Sequence, residues 1–331
     1  MSRKLTFSLA INEALRQAMM EDPSVVVIGQ GVKSPWYVGN TCKGLLEEFG
    51  DRRVFDTPVS ENAVTGLGVG AAMAALRPVV VHPRMDFMLY AMDPIINQAA
   101  NWRYMSGGSA RVPVVFWGII NRGGEQAAQH SQALHSLFAH VPGLKVVAPS
   151  TPCDAKGLMV AAIRDEDPVL FVDDRWLYGL EEDVPEATYE VTIGEAVVRR
   201  SGKDATIVAF SYLAPKALEA ASCLQENGIS CEVIDLRSLK PWDAPCVAAS
   251  VERTGRALVC DVGWRTGGFG AEVAAHVAET CWVQLKAPVR RLALPDLPAP
   301  ASRTLEAAYY PGSGDIVNAV EALIACPARE S

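Results

Sequence analysis

Two open α/β units, each on a mostly parallel sheet, are the fold that the sequence predicts, and three observations predict it. Short runs rich in Val and Ile alternate with segments of helical periodicity along most of the 331 residues, as strand–helix–strand units do. The acidic, unperiodic stretch LEEDVPEATYE, residues 180–190, interrupts that alternation and reads as a linker between two such series. A chain of this length, with 50% hydrophobic residues, can bury two ordinary cores.

The first series begins with a helix that Thr6 can cap and that runs to about Met20, with Leu5, Leu9, Leu15 and Met19 on one face and Pro23 as its stop. Residues 24–28 read as a buried strand ended by Gly29, Gln30 and Gly31. The irregular GVKSPWYVGNT beyond lies where open α/β sheets place ligands, although a packed surface loop reads equally well. Strands follow at 78–82, 112–120, 145–148 and 168–172, with helices at 93–104 and 151–164 and a glycine-rich break at 106–110. The second series has strands at 206–210, 231–235 and 256–261 and helices at 215–226 and 315–325. Its GGFG sequence opens a further helix and could offer N–H groups to an anion, but it lacks the spacing and downstream acid of a dinucleotide site.

Composition narrows the function. A formal net charge of −8, with no basic run, argues against nucleic acid or an anionic membrane as the main partner. The 8 cysteines are scattered without a C-x-x-C pair, which fits reduced thiols in a cytoplasm. The first residues are too often polar for a secretory signal, and no apolar run is long enough to span a bilayer. Half-hydrophobic composition in a soluble chain also points to a surface partly covered by partners.

Chemistry concentrates around DTPVSENAVTGLGVGAAMAA, residues 56–75. Pro58 and Ser60 read as turn and cap, and Glu61 opens a helix made almost entirely of small residues. Each helical glycine costs roughly 1 kcal/mol relative to alanine, so Gly66, Gly68 and Gly70 imply close packing against a helix or a planar ligand. Buried surroundings would let Glu61 exchange a proton near neutral pH, while the structural alternative is a first-turn acid favoured by the helix dipole. Phe87, just beyond a strand, could stack on a planar ligand or simply pack in the core. His130, His135 and His140 recur every five residues, which puts no two on one helical face and argues against a metal pair. His130 follows a glycine-rich turn off a strand end, a position suited to acid/base work as well as to a structural hydrogen bond.

Several long strings resemble one family. FDTPVSENAVTGLGVGAAMAALRPVV, INQAANWRYMSGG, AAQHSQALHSLFAHVPGLKVVAPSTPCDAKGL and SVERTGRALV followed by GGFGAEVAA are similar, in the same order, to the beta subunit of the thiamine-diphosphate-dependent first component of 2-oxo acid dehydrogenase complexes. MSRKLTFSLAINEAL and LYGLEEDVPEATY resemble the acetoin dehydrogenase branch in particular. The resemblance implies a transketolase-like pyrimidine-binding domain over 1–182, a linker over 183–195 and a transketolase C-terminal-like domain over 196–331. It implies that Glu61 hydrogen-bonds N1′ of the cofactor's aminopyrimidine, that Phe87 packs on that ring, and that His130 faces the substrate and the lipoyl arm. Gln30 would lie near the cofactor, and a structural K⁺ would be held by carbonyls near Val114, Ala162 and Ile163 with the acids Asp165 and Asp167.

The family holds Mg²⁺ and the diphosphate with a G-D-G motif, and no G-D-G occurs in this sequence. The implied assembly is therefore α2β2, with an alpha subunit supplying most of the Mg²⁺ site and a lipoyl acyltransferase core as a further partner. The implied reaction cleaves a pyruvate-like 2-oxo acid or acetoin and passes the acyl unit to lipoamide. Three positions depart from the family pattern. Gln30 stands where a carboxylate is usual, VKSPWYVGN replaces a glycine-rich loop, and His82 with Pro83 replaces an acidic residue. An acyloin-forming carboligase without a lipoyl partner is the alternative those departures leave open.

Overall fold

The computed structural model describes residues 2–327 and divides the chain into two compact units, residues 1–122 with 129–193, and residues 123–128 with 194–331. The first unit opens with β1 (Ser2–Thr6) and α1 (Phe7–Glu21), and the Thr6 hydroxyl accepts from the Leu9 amide as the helix cap. Then come β2 (Val25–Gly29), the short α2 (Pro35–Val38) and α3 (Leu45–Phe49), β3 (Val54–Asp56), α4 (Glu61–Met73) and β4 (Arg77–His82). A 3₁₀ turn over Met85–Ala91 and a wide π-wound helix over Asp93–Ala100 lead into α5 (Asn101–Met105). The unit continues through β5 (Val115–Ile120), α6 (His135–Ala139), β6 (Lys145–Val147), α7 (Pro152–Arg164), β7 (Val169–Asp174) and β8 (Glu181–Pro185).

The main sheet of this unit runs β6-β7-β5-β4-β2-β3, every pair parallel. Its strands read as continuous apolar runs because both faces are covered: all of β2, β5 and β7 is buried. Order reverses at β2. From β2 the chain steps outward to β3, then crosses back to β4 on the other side. The crevice between the carboxyl ends of β2 and β4 is therefore the switch point, where such sheets bind ligands.

Two glycines bring the elements round that crevice together. A Cβ on Gly29 would lie 2.4 Å from the Val81 carbonyl oxygen, and one on Gly68 would lie 2.4 Å from Val80 Cγ2. Only a residue without a Cβ lets β2 and α4 approach β4 this closely. Gly66 and Gly70 meet nothing within 4 Å in the chain, so the outer face of α4 is open, with Leu67 and Val59 exposed beside it.

The second unit holds β9 (Val197–Arg200), β10 (Ala205–Ala209), α8 (Leu213–Glu226), β11 (Cys231–Asp235), β12 (Ser238–Lys240), α9 (Ala244–Thr254), β13 (Ala257–Trp264), α10 (Phe269–Thr280), β14 (Arg290–Leu294), α11 (Arg303–Tyr309) and α12 (Ser313–Ile324). Its sheet runs β14-β13-β10-β11-β9, parallel except for β9.

The alternation of strands and helices gives the architecture in both units, and the differences are local. Part of the stretch that reads as a linker is β8, which pairs antiparallel with β1. Neither strand is apolar enough to declare itself, since it is the pairing that creates the ribbon. The helix expected over 93–104 is π-wound for its first eight residues. Ser60 stands at the α4 cap position, yet its side chain makes no capping bond.

Candidate active site

Gln30, Thr57, Pro58, Ser60, Glu61, Val64, Val81, His82 and Pro83 line an open cleft at the switch point, about 230 Å³ including its solvent-filled mouth. Each is placed by an element's end. Gln30 follows β2, and its turn is tied down where the Gly31 amide donates to Asp56 Oδ1 at 2.7 Å and the Thr57 amide donates to the Gly29 carbonyl at 3.1 Å. Glu61 is the first residue of α4, where its charge faces the positive end of the helix dipole. It is half-buried in this chain, not enclosed as its sequence surroundings suggest, because the small residues after it leave the cleft mouth open.

His82 ends β4 and is 3% exposed, its Nε2 3.3 Å from the Thr65 hydroxyl. Burial pushes its imidazole down to about 4. At neutral pH His82 is thus an uncharged wall of the cleft. Thr57 Oγ1 is buried there without a hydrogen-bond partner. Apolar Pro58, Val64, Val81 and Pro83 complete a surface suited to a flat heteroaromatic ring, with Glu61, Gln30 and Thr57 as polar contacts.

Phe87 and His130 meet beyond the same strand ends. Their rings contact edge to face, centroids 5.3 Å apart, and both residues are half-buried. Phe87 rides on the 3₁₀ turn after β4, and His130 lies in the loop between β5 and α6.

The expected cation residues lie at the opposite, amino edge of the sheet. Val114 precedes β5, Ala162 and Ile163 belong to the last turn of α7, and Asp165 and Asp167 lead into β7. Most of their oxygens already have partners. The Val169 amide donates to the Val114 carbonyl at 3.0 Å, and Arg77 Nη1 donates to the Ile163 and Asp165 carbonyls, each at 3.0 Å. Lys145 Nζ holds both Asp165 carboxylate oxygens at 2.8 and 2.6 Å, and Arg103 Nη1 holds Asp167 Oδ2 at 3.0 Å. The carboxylates are thereby neutralised by protein cations. What this edge can still offer a hard cation is the second lone pairs of its carbonyls.

The GGFG segment has lost its anion-binding capacity to the chain itself. Asp261 accepts from the Gly263 amide at 2.8 Å and from the Gly270 amide at 2.7 Å, so a carboxylate already occupies the start of α10.

Sequence reasoning passed over several residues at the carboxyl edge. Arg122 Nε donates to Asp174 Oδ2 at 2.7 Å with both side chains fully buried. Asp173 accepts from Trp117 Nε1 and the Tyr178 hydroxyl, and burial raises its carboxyl to about 7. Asp86, 4% exposed, accepts from the Gln132 amide and side chain. The only sequence signal for them is an acidic pair closing a continuous apolar run at 169–174.

Comparison with known proteins gives the family and the fold. The family profile "Transketolase, pyrimidine binding domain" matches residues 3–181, and "Transketolase, C-terminal domain" matches residues 194–316. The chain is 45% identical to the acetoin:2,6-dichlorophenolindophenol oxidoreductase subunit beta of Cupriavidus necator, over 96% of this chain and 97% of that protein. It is 42% identical to the pyruvate dehydrogenase E1 component subunit beta of Rickettsia felis, over 96% and 98%. The mitochondrial subunit beta-1 of Arabidopsis thaliana is 44% identical, over 96% and 89%. A solved split-gene transketolase, an inactive beta4 tetramer, superposes with a TM-score of 0.79 over 97% of this chain and 98% of that one, and at 24% identity it bears on the fold alone. The chain belongs to the transketolase-like family of beta subunits of the thiamine-diphosphate-dependent first component of 2-oxo acid dehydrogenase complexes.

Proposed function

We propose that this chain is the pyrimidine-binding half of an α2β2 enzyme that cleaves a pyruvate-like 2-oxo acid or acetoin and delivers the acyl unit to lipoamide. The observation that carries the reading is the placement of Glu61 with Gln30, Thr57 and neutral His82 in one cleft at the switch point of the first sheet. Relatives named for pyruvate and for acetoin support both substrates. Thiamine diphosphate, when bound, supplies the electron sink for the reaction. In this reading Glu61 hydrogen-bonds the pyrimidine nitrogen N1′ and moves a proton at that atom, and the apolar side chains of the cleft keep water from the ring. Phe87 packs on the pyrimidine. His130 faces the substrate and hydrogen-bonds or protonates its oxygen.

Gln30 contributes an amide that cannot titrate, so proton exchange in the cleft rests on Glu61. Because the sequence has no G-D-G, Mg²⁺ and the diphosphate fall to the alpha subunit, and the open face of α4 with Gly66 and Gly70 is a surface on which a partner helix can close. A monovalent cation, if bound at the amino edge, is held by the carbonyls of Val114, Ala162 and Ile163, with the carboxylates of Asp165 and Asp167 turned to Lys145 and Arg103.

The test pairs the chain with its alpha subunit and follows reduction of an artificial electron acceptor with pyruvate or with acetoin. Glu61→Gln should lower turnover at least about a hundredfold, the usual scale for a positioned proton-transfer group, while the circular dichroism and the assembly are kept. Normal turnover in an intact complex carrying that substitution would refute the reading.

A further inference from the structure

A second cavity opens beyond the Gln30 turn, walled by α2, α3 and the turns beside them. It measures about 550 Å³ including its solvent-filled mouth, a size at which small-molecule sites occur. Val32, Val38 and Cys42 form a buried apolar floor. Burial pushes the Cys42 thiol up to about 12, so the floor carries no charge at neutral pH. Lys33, Lys43, Glu47 and Ser34 supply the polar groups round it. None of these residues lines the cleft that holds Glu61.

Hydrogen bonds from outside hold the walls in place. Asn12, 4% exposed, donates through Nδ2 to the Thr41 and Lys43 carbonyls, each at 3.0 Å. The Thr41 hydroxyl donates to the Val38 carbonyl at 2.6 Å, and Arg175 Nη2 donates to the carbonyls of Trp36, at 3.1 Å, and Tyr37. An empty space forfeits the dispersion contacts of its lining, so a loop free to collapse would close it. These bonds keep it open, and rigid walls spare a ligand the cost of ordering them.

The two lysines carry charge that the chain does not use. Among the described residues neither ammonium meets a carboxylate or a carbonyl, whereas Lys145, Lys156 and Lys216 each hold a carboxylate. In a chain of net charge −8 they make one locally positive cavity. Ser34 stands at the α2 cap position, yet its side chain makes no capping bond. Two ammonium groups suit a dianion such as a phosphate monoester better than a single carboxylate. Glu47, in the first turn of α3, only accepts, so the remainder of the ligand must bring O–H donors and not a second anion.

We propose that this cavity binds the phosphate monoester of a small hydroxylated molecule. Lys33 and Lys43 hold the phosphate, Ser34 and Glu47 bond the hydroxyls, and the carbon chain lies on Val32, Val38 and Cys42. The site is separate from the Glu61 cleft and does not rest on the reaction assigned there.

Calorimetric titration of the full-length chain tests it at about pH 7.5, where a phosphate monoester is mostly a dianion. Glycerol-3-phosphate should bind with a Kd below about 1 mM, inorganic phosphate more weakly, and butyrate at least about tenfold more weakly. The double variant Lys33→Gln with Lys43→Gln should weaken glycerol-3-phosphate at least about tenfold. Both side chains are exposed, so its thermal unfolding should match wild type. Acetylation by an N-hydroxysuccinimide ester, mapped by mass spectrometry, locates the site. Glycerol-3-phosphate at ten times its Kd should slow acetylation of Lys33 and Lys43 about tenfold and leave the exposed Lys203 of the second unit unchanged.

No binding of glycerol-3-phosphate up to about 10 mM overturns the proposal. So does binding that survives the double variant, butyrate bound as tightly as the phosphate ester, or protection of Lys203 equal to that of Lys33 and Lys43.

Discussion

The two edges of the first sheet treat charge in opposite ways. At the amino edge the acids have cations: Asp165 has Lys145, Asp167 has Arg103, and Glu166 has Arg77 and Arg111. At the carboxyl edge, beside the buried Arg122–Asp174 pair, several buried polar groups are left short of partners. Thr57 Oγ1 and Asp86 Oδ2 have none, His82 is held neutral, and Asp173 is held up near 7 with its Oδ1 unbonded. Satisfied groups add stability, whereas unsatisfied ones destabilise the free chain and remain available to a ligand. The contrast leaves the carboxyl edge as the one with buried polar groups still open to a ligand.

The largest test of that contrast is pH. Asp173 rises from an ordinary 3.8 to about 7, so the folded chain holds a proton that the unfolded chain releases, and its contribution to stability is lost as pH climbs from about 4 to 7. His82 falls from 6.5 to about 4, so the unfolded chain binds the extra proton and stability is lost as pH drops through that window. The two slopes oppose each other in the wild type. Asp173→Asn should leave only the acid-side loss and His82→Gln only the loss on raising pH, each on the order of a few kcal/mol in urea unfolding. Parallel curves in both variants would contradict this account of the carboxyl edge.

A smaller effect tests the amino edge. Asp165→Asn removes the nearer ion-pair partner of Lys145 at a partly exposed site, leaving Asp167 at 3.8 Å, and should destabilise the chain by about 1 kcal/mol while turnover is unchanged. A large fall in turnover would mean that the amino edge also serves the reaction. The smallest effect belongs to Thr57→Val, which deletes a hydroxyl with no partner. Stability should stay within about 0.5 kcal/mol of wild type or rise slightly, and the affinity of the assembled enzyme for thiamine diphosphate should fall.

Sequence by itself determined the two α/β series, since buried parallel strands write themselves as apolar runs between helices, and it put Glu61 at the opening of a helix of small residues. It also singled out Phe87 and His130, and the family resemblance it carries drew attention to Gln30 and His82; all four follow or end a strand of the first sheet. It held no hint of β1 pairing with β8, because that ribbon joins residues about 180 positions apart and neither partner is apolar. Only the tertiary structure decided which side of Asp165 faces Lys145, that Asp261 closes the start of α10, and that Asp86 lies under the His130 loop. Those outcomes depend on which strand ends the crossovers bring together, and on what water they exclude. Neither quantity is local, so a carboxylate reads the same in sequence whether folding pairs it with a lysine or buries it under a loop.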